Sequence, residues 1–342
     1  MKIYQKIITP SYDLTKVFGI PLVSVKKSNE TKKKKMLFGI LKIKETSSSK
    51  KCYFLGVCFY KKKKNDNIYA YLQKMQNDII VCTASKVQRA LTVAFLHQKT
   101  FGDMKNKHQD QSMVLFGAGP TVNYFEPIKD AVYVGLNRAC LYNKIHFNYL
   151  FAIDKAGLDT GNVQYYEQFM NYDALKFVGD QNFGINFQIP ESVTNKYSNV
   201  RRYKTTMGYL PNRFALDIET QALGNYASVA LQAIQFILYT NPKRVYLVGI
   251  DCTISSGQHF IGESYDNSKR NENAVIVDNI NIEAWRSLKN FVATYYPETE
   301  IISVNPVGLR GFFKDVYTKS YLDKHPEIDV DGVEIIEGGE IQ

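Results

Sequence analysis

His259 stands in a polar, glycine-bearing stretch, Ser255-Ser256-Gly257-Gln258-His259, shortly after the apolar run Val245–Val248 and the residues Gly249-Ile250-Asp251. Imidazole changes charge near neutrality and from a loop can reach a substrate hydroxyl, which makes His259 the leading candidate for a general base. Glu263, four residues on, is the second candidate, although its carboxyl would need burial to become comparably basic. A loop histidine alone is ordinary polar surface. The residues around it give it weight. Val114-Leu115-Phe116-Gly117-Ala118-Gly119-Pro120-Thr121 reads as a buried strand running into Gly-x-Gly and then a helix start. Glycines there let backbone approach a phosphate or ribose, and free amides at a helix start favour an anion. The competing reading is a structural turn, with Thr121 as an N-cap.

Three further apolar runs end in polar residues: Asn137 after Gly135-Leu136, Asp154 after Phe151-Ala152-Ile153, and Asp251 after Gly249-Ile250. In open α/β sheets ligands sit beyond the carboxyl ends of strands, so these side chains are expected to converge.

The elements that would position them alternate. Met113–Phe116, Ala131–Gly135, Tyr149–Ile153, Leu175–Val178, Val245–Val248 and Glu300–Val304 have strand character. Val122–Ile128, Ala227–Tyr239 and Ile282–Tyr295 have helical character. Strand and helix in alternation predict an α/β, Rossmann-like, doubly wound, mostly parallel sheet. Residues 112–320 are expected to form this domain, followed by an acidic, loosely ordered tail over 321–342. Residues 66–111 read as a connector of helices.

Residues 1–65 read as a basic β-repeat appendage. Phe18-Gly19-Ile20, Phe38-Gly39-Ile40 and Leu55-Gly56-Val57 each open a short apolar or aromatic run that ends in lysine. Lys32–Lys35 and Ser47–Lys51 read as turns between strands. The first seventy residues hold 17 Lys, no Arg and four acids, a local surplus of +13 in a chain whose net charge is +10. The rest of the protein is therefore slightly acidic. Such strands could rest on an anionic membrane, or their lysines could protect a solvated edge from aggregation. Nucleic acid is not an expected partner, because phosphate and base recognition favour arginine.

Five cysteines without any Cys-x-x-Cys pair indicate neither a disulfide framework nor a zinc knuckle. No stretch of about 18 apolar residues runs uninterrupted, so no spanning helix is expected. Asp329-Val330-Asp331 is formally an Asp-x-Asp, but it lies in the acidic tail, and no metal is assigned to it.

Gly117–Thr121, Asn137, Ala227-Ser228-Val229, Tyr246–Asp251 and His259-Phe260-Ile261-Gly262 resemble the motifs of the family 42 bacterial sialyltransferases. They are also similar to the wider family of motility accessory factors and 6-hydroxymethylpterin pyrophosphokinase. The resemblance spans residues 113–310. It implies that Gly117, Ala118, Gly119, Pro120, Thr121, Asn137, Ala227, Ser228, Gly249, Ile250, Asp251 and Thr253 line a site for a nucleotide sugar, CMP-linked in that family's manner, with no metal required. Glu263 occupies the place of the family's second loop histidine. Ala118 stands where the family has Asn, Thr253 where it has Tyr, and the interval from Gly249 to His259 is shorter than the family's.

The expected activity is an inverting glycosyltransferase moving a sialic-acid-like sugar from a CMP donor to a surface glycolipid or polysaccharide. Alternatives are a UDP-sugar-dependent transferase of the same fold, a pterin-type pyrophosphokinase, and a non-enzymatic envelope-assembly module. The expected location is cytoplasmic and peripheral, with residues 1–65 on the inner face of the membrane. A homo-oligomer is compatible with this reading.

Overall fold

The computed structural model describes residues 4–9, 12–17, 20–27, 31–36, 41–46, 50–54, 57–62, 68–153, 159–160, 163–180, 189–206, 213–224, 228–252, 272–329 and 331–336. The chain forms two compact units, Met1–Ser85 and Lys86–Gln342.

The first unit carries a seven-stranded antiparallel meander: β1 (Tyr4–Thr9), β2 (Tyr12–Val17), β3 (Ile20–Lys27), β4 (Thr31–Met36), β5 (Leu41–Thr46), β6 (Lys50–Phe54) and β7 (Val57–Lys62). Each strand pairs with its neighbours in the chain. Lys32–Lys35, expected as a turn, lies inside β4, and Lys50 and Lys51 lie inside β6. Composition misleads here because the register is set elsewhere. Val23, Met36, Leu41, Phe54 and Val57 stand opposite one another across five strands. A one-residue slip would turn that apolar row to the other face, so the lysines between are carried into the ladder. Gly19, Gly39 and Gly56 of the repeats lie outside the described residues.

One helix, α1 (Ile68–Phe101), replaces the expected set of shorter ones. At 1.5 Å per residue its 34 residues reach about 50 Å. Contrary to the sequence expectation, Gln73–Phe101 is long and apolar enough, by length and composition, to cross a membrane. Lys86 and Arg89 interrupt the apolar run, so no unbroken apolar stretch marks it in the sequence. The last turns of α1 belong to the α/β unit. Phe101 is fully buried in its core, and the Thr100 hydroxyl donates to Arg202 O at 2.5 Å.

The second unit is built on a nine-stranded sheet, all parallel, in the order β14-β13-β10-β9-β8-β15-β16-β17-β18. The strands are β8 (Ser112–Phe116), β9 (Val132–Leu136), β10 (Tyr149–Ala152), β13 (Leu175–Asp180), β14 (Val200–Lys204), β15 (Arg244–Val248), β16 (Glu300–Val304), β17 (Lys314–Thr318) and β18 (Glu334–Ile336). A two-residue hairpin, β11 (Asp159–Thr160) and β12 (Val163–Gln164), stands apart. The helices are α2 (Tyr166–Asn171), α3 (Glu191–Thr194), α4 (Ala230–Tyr239), α5 (Glu272–Tyr295) and α6 (Lys319–Leu322).

Alternation along each strand feeds two cores. Met113 and Leu115 of β8 pack in one with α4 and α5, while Val114 and Phe116 pack in the other with Phe169 of α2. α4 is buried on every side. Gln232 accepts from Tyr203 Oη, while its Nε2 has no partner among the described residues, and Gln235 accepts from the amides of Ala215 and Gly224.

Two expectations are corrected. The acidic tail over 321–342, read as loosely ordered, supplies the end of α6 and the ninth strand β18, with Ile336 buried. His97 and His108 fall in the stretch 66–111 expected to be a connector, yet both tie into the α/β unit. His97 takes the Lys204 amide on Nε2 and meets Ile218 O through Nδ1, both at 2.7 Å. His108 meets the Tyr149 hydroxyl of β10 at 2.8 Å.

Candidate active site

From β8 the chain proceeds outward strand by strand to β14, then returns to the other flank of β8 with β15. The switch point, where ligands of such sheets bind, is therefore the crevice beyond the carboxyl ends of β8 and β15. Phe116 and Val248 are paired residues, so Gly117–Thr121 and Gly249–Asp251 leave the sheet side by side.

They lock together. Gly117 N donates to Val248 O at 2.8 Å, and Gly119 N to Gly249 O at 3.0 Å. Thr121 donates its hydroxyl to Asp251 Oδ1 at 2.5 Å and its amide to Oδ2 at 3.3 Å. Gly308 N holds the Asp251 carbonyl at 2.9 Å. A Cβ at Gly117 would overlap the Gly249 carbonyl, and one at Gly119 would overlap the Asp251 carboxylate. Gly249 has φ +64°, open to glycine at little cost. Ile250 presses its Cδ1 against the place a Gly117 Cβ would take. The glycines are thus accounted for by loop-on-loop packing, and the space they free is filled by β15's turn.

The expected α-helix after Pro120 is a 3-10 turn, Pro120–Tyr124. Glu126 precedes Pro127 and so resists helical backbone, and the chain is already extended at Phe125. Thr121 is therefore not a helix cap. Its side chain belongs to Asp251.

Burial pushes the Asp251 carboxyl up to about 6, against the two Thr121 hydrogen bonds that favour its ionised form. Asp251, itself buried, can thus change charge near neutrality.

On the other flank, Asn137 follows β9 with φ +49°, and its buried Oδ1 finds no hydrogen-bond partner among the described residues. An unsatisfied buried acceptor is uncommon, and this one stands beyond the carboxyl end of β9, next to β8. Ser228 stands at the start of α4, where its Oγ accepts the Ala230 amide at 3.2 Å. That structural duty was not part of its expected role. Ala118 and Pro120 are half-buried in the first turn. Asp154, Ala227, Thr253, His259 and Glu263 lie outside the described residues.

The structure adds groups the sequence reading missed. Tyr124, which ends the 3-10 turn, packs edge-on to Tyr321 with ring centroids 5.3 Å apart, and His325 lies over Tyr321 at 4.3 Å. His325 Nδ1 meets Glu327 Oε1 at 3.1 Å. Arg310 Nε donates to Tyr317 Oη at 3.0 Å, and Tyr317 stacks on Tyr321. Tyr124 belongs to the turn that follows β8, so its contact sets this aromatic cluster beside that turn; burial raises the Tyr321 hydroxyl, and the Asp251 charge adds to that. The signal available in sequence was the four-residue recurrence of Tyr317, Tyr321 and His325.

No family model matches the chain, and no curated protein matches it in sequence. Among solved structures it is similar to the sialyltransferase CstII from Campylobacter jejuni, solved in complex with a substrate analogue, CMP-3FNeuAc. The identity is 13%, the match covers 56% of this chain and 80% of that one, and the TM-score is 0.33.

Proposed function

We propose that the α/β unit is a glycosyltransferase that binds a nucleotide sugar at the β8–β15 switch point and transfers the sugar with inversion. The observation that carries this reading is the unsatisfied, buried Asn137 oxygen one strand away from the Thr121–Asp251 lock. A ribose hydroxyl or the exocyclic amine of cytosine would satisfy it. The motif-level resemblance of Gly117–Thr121, Asn137 and Tyr246–Asp251 supports a CMP-linked, sialic-acid-like donor and a metal-independent reaction. His259 is the proposed base that takes the proton of the acceptor hydroxyl as it attacks the anomeric carbon and the nucleotide leaves. Glu263 is its alternate. A surface glycolipid or polysaccharide is the proposed acceptor, met at the cytoplasmic face of a membrane.

A thermal-shift screen of CMP, UDP, GDP, ADP and ATP tests the donor. CMP is expected to give the largest shift, since ligand at 100 times its Kd adds about 2.7 kcal/mol to the folded state. Turnover of a CMP-sugar is expected to persist in EDTA. Stabilisation by UDP alone would reassign the donor within the same class. A shift confined to ATP with magnesium would favour pyrophosphate transfer, and no shift with any nucleotide would remove the enzyme reading.

A further inference from the structure

In a meander, the pairing registers fix which residues stand side by side across the sheet. From β3 to β7 they form one row: Lys26 opposite Lys33, Lys33 opposite Lys44, Lys44 opposite Lys51, and Lys51 opposite Lys61. Two residues along, Lys35 stands opposite Lys42, and Lys42 opposite Tyr53. Strand residues two apart share a face, so all seven lysines hold places on the same one. Lys42 and Lys44 are exposed. The acids within the described strands of this sheet hold places on the other face: Asp13 opposite Val25, and Glu45 opposite Lys32 and Lys50. That other face also takes Val25, Met36 and Cys52, which are buried.

Like charges directly opposite one another weaken a sheet. Protection of sheet edges does not explain the arrangement, because β4, β5 and β6 are interior strands. With strands about 4.8 Å apart the row spans about 19 Å, and the second row lies about 7 Å from it. The registers thus gather seven lysine positions on one face of the sheet. That face contains point-charged lysines and no arginine fork, which suits a diffuse planar anion better than individual phosphates held in fixed geometry. The same unit also exposes Met75, Ile79 and Val81 on α1, residues that an acyl boundary would accept. We infer that the lysine face of the meander is a docking surface for an anionic lipid bilayer. This does not depend on whether the α/β unit transfers a sugar.

Two full-length variants with equal loss of charge test it. One removes the row by Lys33→Gln, Lys44→Gln, Lys51→Gln and Lys61→Gln. The other alters the opposite face by Lys27→Gln, Lys32→Gln, Lys50→Gln and Lys62→Gln. Co-sedimentation uses phosphatidylcholine vesicles with and without about one-third phosphatidylserine. The parent is expected to bind only the anionic vesicles and to release in ~1 M salt, where the Debye length is ~3 Å. Row removal is expected to weaken binding at least tenfold and up to roughly a thousandfold, from ~1 kcal/mol per lysine at the surface. The opposite-face variant is expected to stay within about threefold of the parent, a margin below 1 kcal/mol. Should the fourfold row variant fail to fold, Lys44→Gln with Lys51→Gln is expected to weaken binding roughly tenfold or more. Equal losses in both faces would reduce the effect to net charge and overturn the inference. So would a parent that ignores anionic vesicles while retaining a sulfated glycan or single-stranded nucleic acid.

Discussion

Asp251 and His97 are buried ionisable residues whose contributions to stability run in opposite directions with pH. Unfolded, Asp251 titrates near 3.9, and folded at about 6. Between those values the folded chain binds more protons, so this carboxyl alone lowers stability as pH rises, by about 3 kcal/mol in all. Burial lowers His97 to about 4 against an unfolded value near 6.5. There the unfolded chain binds more protons, so stability rises with pH by a similar ~3 kcal/mol. The two nearly cancel from pH 4 to 6. Asp251→Asn keeps an oxygen for Thr121 and removes one side of the balance. Urea titrations of variant and parent should show their difference moving about 2 kcal/mol in the variant's favour from pH 4 to pH 6.5; a constant difference would mean that Asp251 is not held neutral by burial. For the reaction, His259→Ala should lower kcat by about 10²–10⁴ while the nucleotide-induced thermal shift persists, with Glu263→Gln milder. His325→Ala is the decisive companion, since that imidazole lies beside Tyr124 and Tyr321. Loss of turnover there, with His259→Ala near normal, would move the base to the β17 side. Chemistry-bearing types at Asn137, Thr121 and Asp251 were legible in the sequence. Their partners were not, because the Thr121–Asp251 bond joins residues 130 positions apart.

Among the elements, strands made of unbroken apolar residues were legible and mixed ones were not. β8, β9, β10, β13, β15 and β16 fall within a residue or two of expectation, because strands covered on both faces need apolar residues at every position. β14 reads Val200-Arg201-Arg202-Tyr203-Lys204 and lies at the sheet's end, where Arg201 reaches Asp103 and Arg202 reaches Ile189 O. Its charges hid it. β17 and β18 are masked in the same way by Lys314, Asp315 and Glu334, and Lys314 pairs with Glu334 across them at 2.8 Å. The turns after β8 and β15 behave as one element, which Gly119→Ala should break by driving a methyl into the Asp251 carboxylate. The expected cost is about 1–3 kcal/mol, with loss of the nucleotide-induced shift. Gly311→Ala is the control. Unlike Gly119, it has a positive φ, but it meets nothing within 4 Å, so its cost should stay near 1 kcal/mol with the shift intact. Equal effects at both sites would argue against loop-on-loop packing at the switch point.

For the molecule as a whole, the two sheets follow opposite rules of assembly. The parallel sheet is closed at one end by the tail: Ile336 of β18 is buried and Glu334 is paired. A chain ending before β18 should lose about 1.5–3 kcal/mol of apolar burial at Ile336, and with it several degrees of melting temperature in calorimetry. An unchanged melting temperature would show that the ninth strand is ornamental. The meander is different. No strand in it is paired with any but its neighbours along the chain. A hairpin could be duplicated or deleted from such a run without rethreading anything, and each such event would add or subtract a block of lysines. The charge of this unit is therefore open to adjustment by changes in gene length alone, in steps of two strands, while the switch point, knitted from residues 130 positions apart, tolerates no comparable edit.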